Sequence, residues 1–189
     1  MSHSLLPKRG GWRRGLDSWS LVLAVIFLLV PIAVTFAAFD PSWITTTNSA
    51  LSAAAAYPQT FQGILIRNSA IALILYSGVI TFGISTTLGA PFVAIYLGAF
   101  MRVEAASIGF GSLWARSGFY TVFEIVGYFA ATAAGLLPIS TTLPWRGTGE
   151  SKGIRAYLLG AENSLRPLAV ALIALVIGAL AEYFTIRGA

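Results

Sequence analysis

Glu124 is the residue with the most chemistry to explain. It stands in Phe119 to Leu137, a run otherwise free of charge and long enough to cross a bilayer. A carboxylate at the centre of a membrane helix costs about 2.5–3.5 kcal/mol on insertion scales, so such a group is paired or marks a site. The other ionisable or strongly polar groups set in or beside apolar runs are Arg67, Asn68, Arg102, Glu104, Arg116 and Glu182. Their types suit ion pairing, hydrogen bonding or the passage of a proton or ion. They do not suit nucleophilic or metal chemistry. The chain has no Cys, and its one His is His3, near the start of the chain. Ser-His catalysis, thiolate sites and His-ligated haem or zinc are therefore excluded within the membrane. An intramembrane carboxyl protease needs two acids side by side, and the sequence offers single acids of unknown separation. Gly-rich phosphate loops are absent. No catalytic residue, cofactor or metal ligand is assigned.

The elements that position these groups follow from composition. Of 189 residues, 57% are hydrophobic and 10% charged. Soluble domains carry about 25% charged residues, so this chain lacks the polar surface to cover itself in water. It reads as an all-α, polytopic membrane helix bundle without a separate soluble enzyme domain. The net charge is +5, but the basic residues flank apolar runs and do not stripe one face. They are topology signals, and nucleic acid is not an expected partner.

Residues 1–18 carry Lys8, Arg9, Arg13 and Arg14, a basic cytoplasmic flank with Trp12 and Trp19 as interfacial anchors. Residues 19–39 form the first transmembrane helix, kinked at Pro31. A cleaved signal peptide is the rival reading, but the run exceeds the usual apolar region of about 7–15 residues. Residues 40–63 are rich in Ser, Thr and Ala without Lys or Arg, and form an external loop. Residues 64–186 form a four-helix membrane core, with helices at about 64–84, 91–108, 117–137 and 167–186. The break between the first two of these falls at Ser85 to Ala90, with Pro91 as a first helical residue. Gly109, Gly111 and Gly118 bracket an interfacial connection holding Trp114 and Arg116. The fourth helix stops near Pro138, and residues 154–161 form a short surface helix. Eight of the twelve basic residues then lie inside, in the N-terminal flank and at Arg146, Lys152, Arg155 and Arg166, as the positive-inside rule requires of an N-inside chain.

This threading brings the charges to the outer half of the membrane. Arg67, Asn68, Arg102, Glu104, Arg116, Glu124 and Glu182 are expected to form a polar layer there. Gly127, Ala131 and Gly135 follow Glu124 on one helix face. Ala174 and Gly178 precede Glu182 at intervals of four, and Ala90, Ala94 and Gly98 do so in the third helix. Small-residue faces let membrane helices approach closely, which points the carboxylates into the bundle. The layer is either structural or a polar cavity for an ion, a lipid headgroup or a partner segment.

Three blocks resemble the stage II sporulation protein M family, also treated as a domain of unknown function. They are Phe61-Gln-Gly-Ile-Leu-Ile-Arg-Asn68 with the small residues up to Gly78, Val122-Phe-Glu124-Ile-Val-Gly-Tyr-Phe-Ala-Ala-Thr-Ala-Ala-Gly-Leu136, and Ala181-Glu182-Tyr-Phe-Thr185. The likeness covers about residues 61–185. It departs at the family's His position, which falls on Tyr120, and at the next small position, which falls on Thr121, so a role carried by that His is absent or differently performed here. The resemblance implies a five-helix membrane protein without enzyme activity. In endospore formers relatives join a complex with cell-wall hydrolases, but most relatives occur in organisms that form no spores.

The expected function is that of a non-enzymatic, multi-pass protein of the cell membrane. It assembles with other membrane proteins, or with its own copies, as a scaffold or accessory subunit. The alternative is a small transporter or permease subunit with an outer-leaflet Glu/Arg site. Such a protein is expected to show internal symmetry between halves, and the sequence shows none that is convincing.

Overall fold

The structure, a computed structural model, describes residues 18–42, 60–142 and 153–188. Among them every element is helical, and five helices are long and apolar enough to cross a membrane. The chain is a multi-pass membrane protein by this measure. The basic flank before Ser18, most of the 40–63 loop and residues 143–152 lie outside the described residues.

Helix α1 spans Ser18–Ala38. Pro31 has no N–H and crowds the carbonyl four residues before it. The helix answers by widening to a π-turn over Val25–Leu29, where the Val30 N–H reaches the Val25 carbonyl. Helix α2 covers Phe61–Tyr76 and tightens to a 3-10 turn at Ser77–Val79. The Thr60 hydroxyl caps it by accepting from the Gly63 N–H at 3.1 Å. Helices α3, Ile84–Ile108, α4, Phe110–Thr142, and α5, Ile154–Gly188, complete the bundle.

The first helix lies within a residue of the expected 19–39, whereas the boundaries between the later helices differ from the sequence expectation for local reasons. The α2–α3 reversal falls at residues 80–83, where Phe82 and Gly83 take positive φ (53° and 83°), and not at Ser85 to Ala90. Those polar residues are helical because their hydroxyls are engaged elsewhere. Ser85 bonds Ser77 and Thr81 (2.8 Å each), and Thr86 donates to the buried Leu75 carbonyl. Pro91 lies inside α3. The connection expected across Gly109 to Gly118 contracts to Gly109, whose φ of 82° closes α3 and opens α4. Trp114 and Arg116 are thus helical. Pro138 does not end α4, and Pro167 lies inside α5, which joins the expected surface helix to the last span. At about 1.5 Å per residue, α4 and α5 reach roughly 50 Å, well beyond a hydrocarbon core of about 30 Å, and so tilt or project from it.

Helix α4 is the centre. Every residue from Ala130 to Pro138 is buried. A helix enclosed on all sides must be made of small or apolar residues. Its most extensive seam is with α5, and it also touches α1, α2 and α3. The small-residue faces divide the work. A Cβ on Gly127 would stand 2.7 Å from Leu175 of α5, whereas one on Gly135 would strike the Leu75 carbonyl and the Thr86 hydroxyl. Gly127, Ala131 and Gly135 therefore do not serve one partner, because the stripe rotates along the helix. On α3, Ala90, Ala94 and Gly98 are buried together, and a Cβ on Gly98 would lie 2.6 Å from the Ile32 carbonyl of α1. Ala174 is buried on α5, and Gly178 lets Tyr120, Phe123 and Glu124 of α4 approach.

Up-and-down threading leaves two chemically distinct ends. One end holds the turn at residues 80–83, with Tyr157 of α5 donating to the Val79 carbonyl at 2.6 Å and stacking on Phe82 at 4.8 Å. The other holds the start of α2 against the end of α5, where Phe61 meets Tyr183 at 6.4 Å. Arg67, Glu124 and Glu182 gather at this second end, while Arg155, Glu162 and Arg166 lie on the opening turns of α5 at the first.

Candidate functional site

The site is built where α2, α4 and α5 converge. Asn68 is the second turn of α2 and is almost fully buried, at 2% exposure. Its Nδ2 donates to Glu124 Oε1 at 2.5 Å, and its Oδ1 accepts from the Tyr128 hydroxyl at 3.1 Å. The Arg67 Nε also approaches that Oδ1 at 3.4 Å. These contacts fix the amide orientation, since the oxygen faces donors and the nitrogen faces the carboxylate. Glu124 and Tyr128 reach one amide because they are four residues apart and so share a helix face.

Glu182 completes the group from α5. Its Oε1 lies 3.5 Å from Arg67 Nη2, with its own side chain 9% exposed and that of Arg67 57% exposed. A long side chain that is more than half exposed can keep its charged head at the membrane surface while pairing with a buried acid. Glu182 Oε2 is buried without a hydrogen-bond partner among the described residues. One turn before Glu182, Gly178 lies against Tyr120 and Glu124 of α4, so the two acids approach the same seam.

The expected polar layer is thus not one network. Arg67, Asn68, Glu124 and Glu182 meet. Arg102 belongs elsewhere, because it lies four residues beyond Gly98 on the face of α3 that packs on α1. Its charge acts on Asp40, just past the end of α1. There Asp40 Oδ1 accepts the Ser42 N–H at 2.9 Å. The backbone and side chain of Ser42, with Arg102 adding less, hold the Asp40 carboxyl below its ordinary range. Glu104 lies near Tyr120, and Arg116 is exposed on the opening turns of α4. No described hydrogen bond or ion pair joins either to the cluster.

Tyr128 is the member that sequence reasoning missed, and its i+4 spacing from Glu124 was the available signal. At the opposite end, Ser85 and Thr86, which the sequence reading places in a turn, are helical and bond back to Ser77, Thr81 and the Leu75 carbonyl. Among the described residues no group of three or more His, Asp or Glu is placed to hold a metal.

One further feature faces outward. A groove of about 570 Å³ runs along α4 at the carboxylate end, lined by Trp114, Ala115, Gly118, Phe119, Val122 and Phe123. Gly118 forms its floor, since a Cβ there would meet the Trp114 ring at 2.7 Å. Compared with known proteins, the chain matches no family model, no curated protein and no solved structure.

Proposed function

We propose that this chain is a non-enzymatic subunit of a membrane complex, a scaffold or accessory protein whose buried polar cluster holds its own bundle and whose outer aromatic groove receives a partner helix. The observation that carries the reading is the division of polar and apolar surface at one end. Asn68, Glu124, Tyr128, Arg67 and Glu182 bond to one another across three helices, while Trp114 and Phe119, 55% and 69% exposed, leave a concavity open on the opposite side of α4. In lipid, helix association depends on packing shape and on hydrogen bonds, because tails are as apolar as side chains. A concave, rigid aromatic surface offers the first of these. The N-terminus is cytoplasmic in this reading, which puts the cluster and groove in the outer leaflet of the cell membrane. The resemblance to the stage II sporulation protein M family agrees with a non-enzymatic role, without assigning a sporulation process.

The test uses a photocrosslinking residue placed at Phe119 and, as a control, at Phe92 on the outer face of α3, which is 77% exposed. Discrete protein adducts from position 119 but not from 92 are the expected result. Lipid adducts alone from both positions contradict it. A transporter reading is favoured by one feature, the carboxyl pair between α4 and α5. It requires that liposomes containing the protein move a solute or protons and that Glu124→Gln abolish the flux.

A further inference from the structure

Two arginines meet the same stretch of α5 where it crosses the start of α2. Arg67 of α2 reaches Glu182, and Arg187 lies over the ring of the next residue, Tyr183, at 4.6 Å. Phe61, the first residue of α2, packs edge-on against that same ring at 6.4 Å, so Tyr183 marks the level at which the two helices enter the bundle. Little of the Arg67 fork is used within the chain. A guanidinium carries five N–H donors, whereas the described polar contacts of Arg67 are Nη2 to Glu182 Oε1 at 3.5 Å and a long approach of Nε to Asn68 Oδ1 at 3.4 Å. Its side chain is 57% exposed. Arg187 is exposed as well, and among the described residues no hydrogen bond or ion pair engages it. The acids nearby do not reach out to these donors. Glu182 is buried, and Glu124 bonds inward to Asn68.

We infer that Arg67 and Arg187 hold the phosphate of a membrane phospholipid against the α2–α5 crossing. Depth selects this ligand. Arg67 lies six residues past Phe61, about 9 Å along the helix, and its long stem lets the charged head climb back toward the level of Tyr183. Aromatic residues at the ends of membrane helices sit among the headgroups, so the uncommitted donors open where lipid phosphates stand. Chemistry selects it too. Guanidinium donors without partners are costly in hydrocarbon, and the planar fork pairs with phosphate oxygens through two parallel N–H bonds. The flanks of the site are apolar. Ile66 beside Arg67 and Phe184 beside Tyr183 are both exposed, and they give the acyl chains a surface that a phosphate free in water would not use. A headgroup with net negative charge, such as phosphatidylglycerol, fits better than one that brings its own ammonium to two guanidiniums. Arg67 rises from α2 and Arg187 from α5, so the bound phosphate straps the two helices together at the mouth of the buried cluster.

The inference is independent of whether the α4 groove binds a partner. Its test takes the full chain, delipidated in mild detergent, and adds one of three probes: dioleoyl phosphatidylglycerol, a galactosyl diacylglycerol with the same chains and no phosphate, or inorganic phosphate. Native mass spectrometry counts what stays bound, and thermal unfolding reads its effect. The expected result is one phosphatidylglycerol retained per chain with a raised unfolding temperature, since a ligand of the folded state stabilises it. The galactolipid and inorganic phosphate are expected to do neither. Arg187→Gln is expected to weaken phosphatidylglycerol binding about fivefold, the usual worth of one basic residue at a lipid surface. Arg67→Lys, which keeps a charge for Glu182 but loses the fork, is expected to weaken it as well. Equal retention of the galactolipid overturns the inference, because the apolar flanks alone then account for binding. Inorganic phosphate that saturates the protein and displaces the lipid overturns it in favour of a soluble ligand. Undiminished lipid binding by Arg187→Gln places the phosphate elsewhere. Should Arg67→Lys fail to fold, Arg187→Gln still decides, because that side chain is exposed and outside the buried cluster.

Discussion

At the scale of residues, the Asn68 amide is the hub of the buried cluster. It bridges Glu124 and Tyr128, so Asn68→Ala leaves a carboxyl and a phenol without partners inside the bundle. Unsatisfied buried groups cost about 1–3 kcal/mol, and a loss of that order is expected in thermal unfolding of the detergent-solubilised protein. Tyr128→Phe removes one hydrogen bond and leaves Asn68 Oδ1 with the long contact to Arg67. Side-chain hydrogen bonds between membrane helices average about 0.6 kcal/mol, so a smaller loss is expected. Equal losses would mean that Asn68 acts through packing alone. Asp40 gives a different signature. Its carboxyl is held below the ordinary range by Ser42, so the stabilisation it provides is complete above the unfolded carboxyl's range and is lost as pH falls through the lowered folded value. Ser42→Ala is expected to move the Asp40 titration, followed by NMR, part of the way back up.

At the scale of elements, close crossings depend on particular glycines. Gly78 and Gly135 both press on the Thr86 hydroxyl where α2, α3 and α4 meet. Gly135→Ala is expected to cost about 1–3 kcal/mol by overpacking. Gly111→Ala, in the first turn of α4, meets nothing within 4 Å, and is expected to be neutral or slightly stabilising, because Ala loses less backbone freedom than Gly on folding. Similar unfolding temperatures for the two variants would contradict the packing described. The same crossings explain which parts of the fold were legible in sequence. The number of spans followed from apolar run length, and the paired groups Arg67, Asn68, Glu124 and Glu182 stood out as polar residues within such runs. The helix ends did not. Pro91, Pro138 and Pro167 signal breaks locally, but packing overrides them. Gly160 of α5 sits against Pro138, and Thr141 of α4 reaches the Ala156 carbonyl at 3.1 Å. The positive φ of Gly83 and Gly109, which does end helices, has no signature that distinguishes these from the other glycines. Arg102 was misgrouped because membrane depth can be read from sequence position, while the face of a helix that finds a given neighbour is settled by tertiary packing.

At the scale of the whole molecule, the two ends have different chemistry. One is a lattice of hydroxyls and carbonyls around the α2–α3 turn, with Tyr157 as its anchor and Arg155, Glu162 and Arg166 on the same turns of α5. The other holds a charge cluster within and an aromatic groove without. Orientation decides which of them faces the cell interior. With no native Cys, single labels are clean. Ser49→Cys is expected to react with an impermeant maleimide from outside and Ser151→Cys from inside, both in segments outside the described residues. The opposite pattern would reverse the bundle and place the cluster at the cytoplasmic face. The central claim, that the protein works by assembling with partners, is tested most directly by purifying the tagged native chain in mild detergent and measuring the mass and stoichiometry of what accompanies it. The account predicts a fixed number of companion chains that are lost on Trp114→Ala or Phe119→Ala while the bundle's unfolding temperature is kept. A chain that purifies alone as a monomer, and whose liposomes carry a flux abolished by Glu124→Gln, would contradict it.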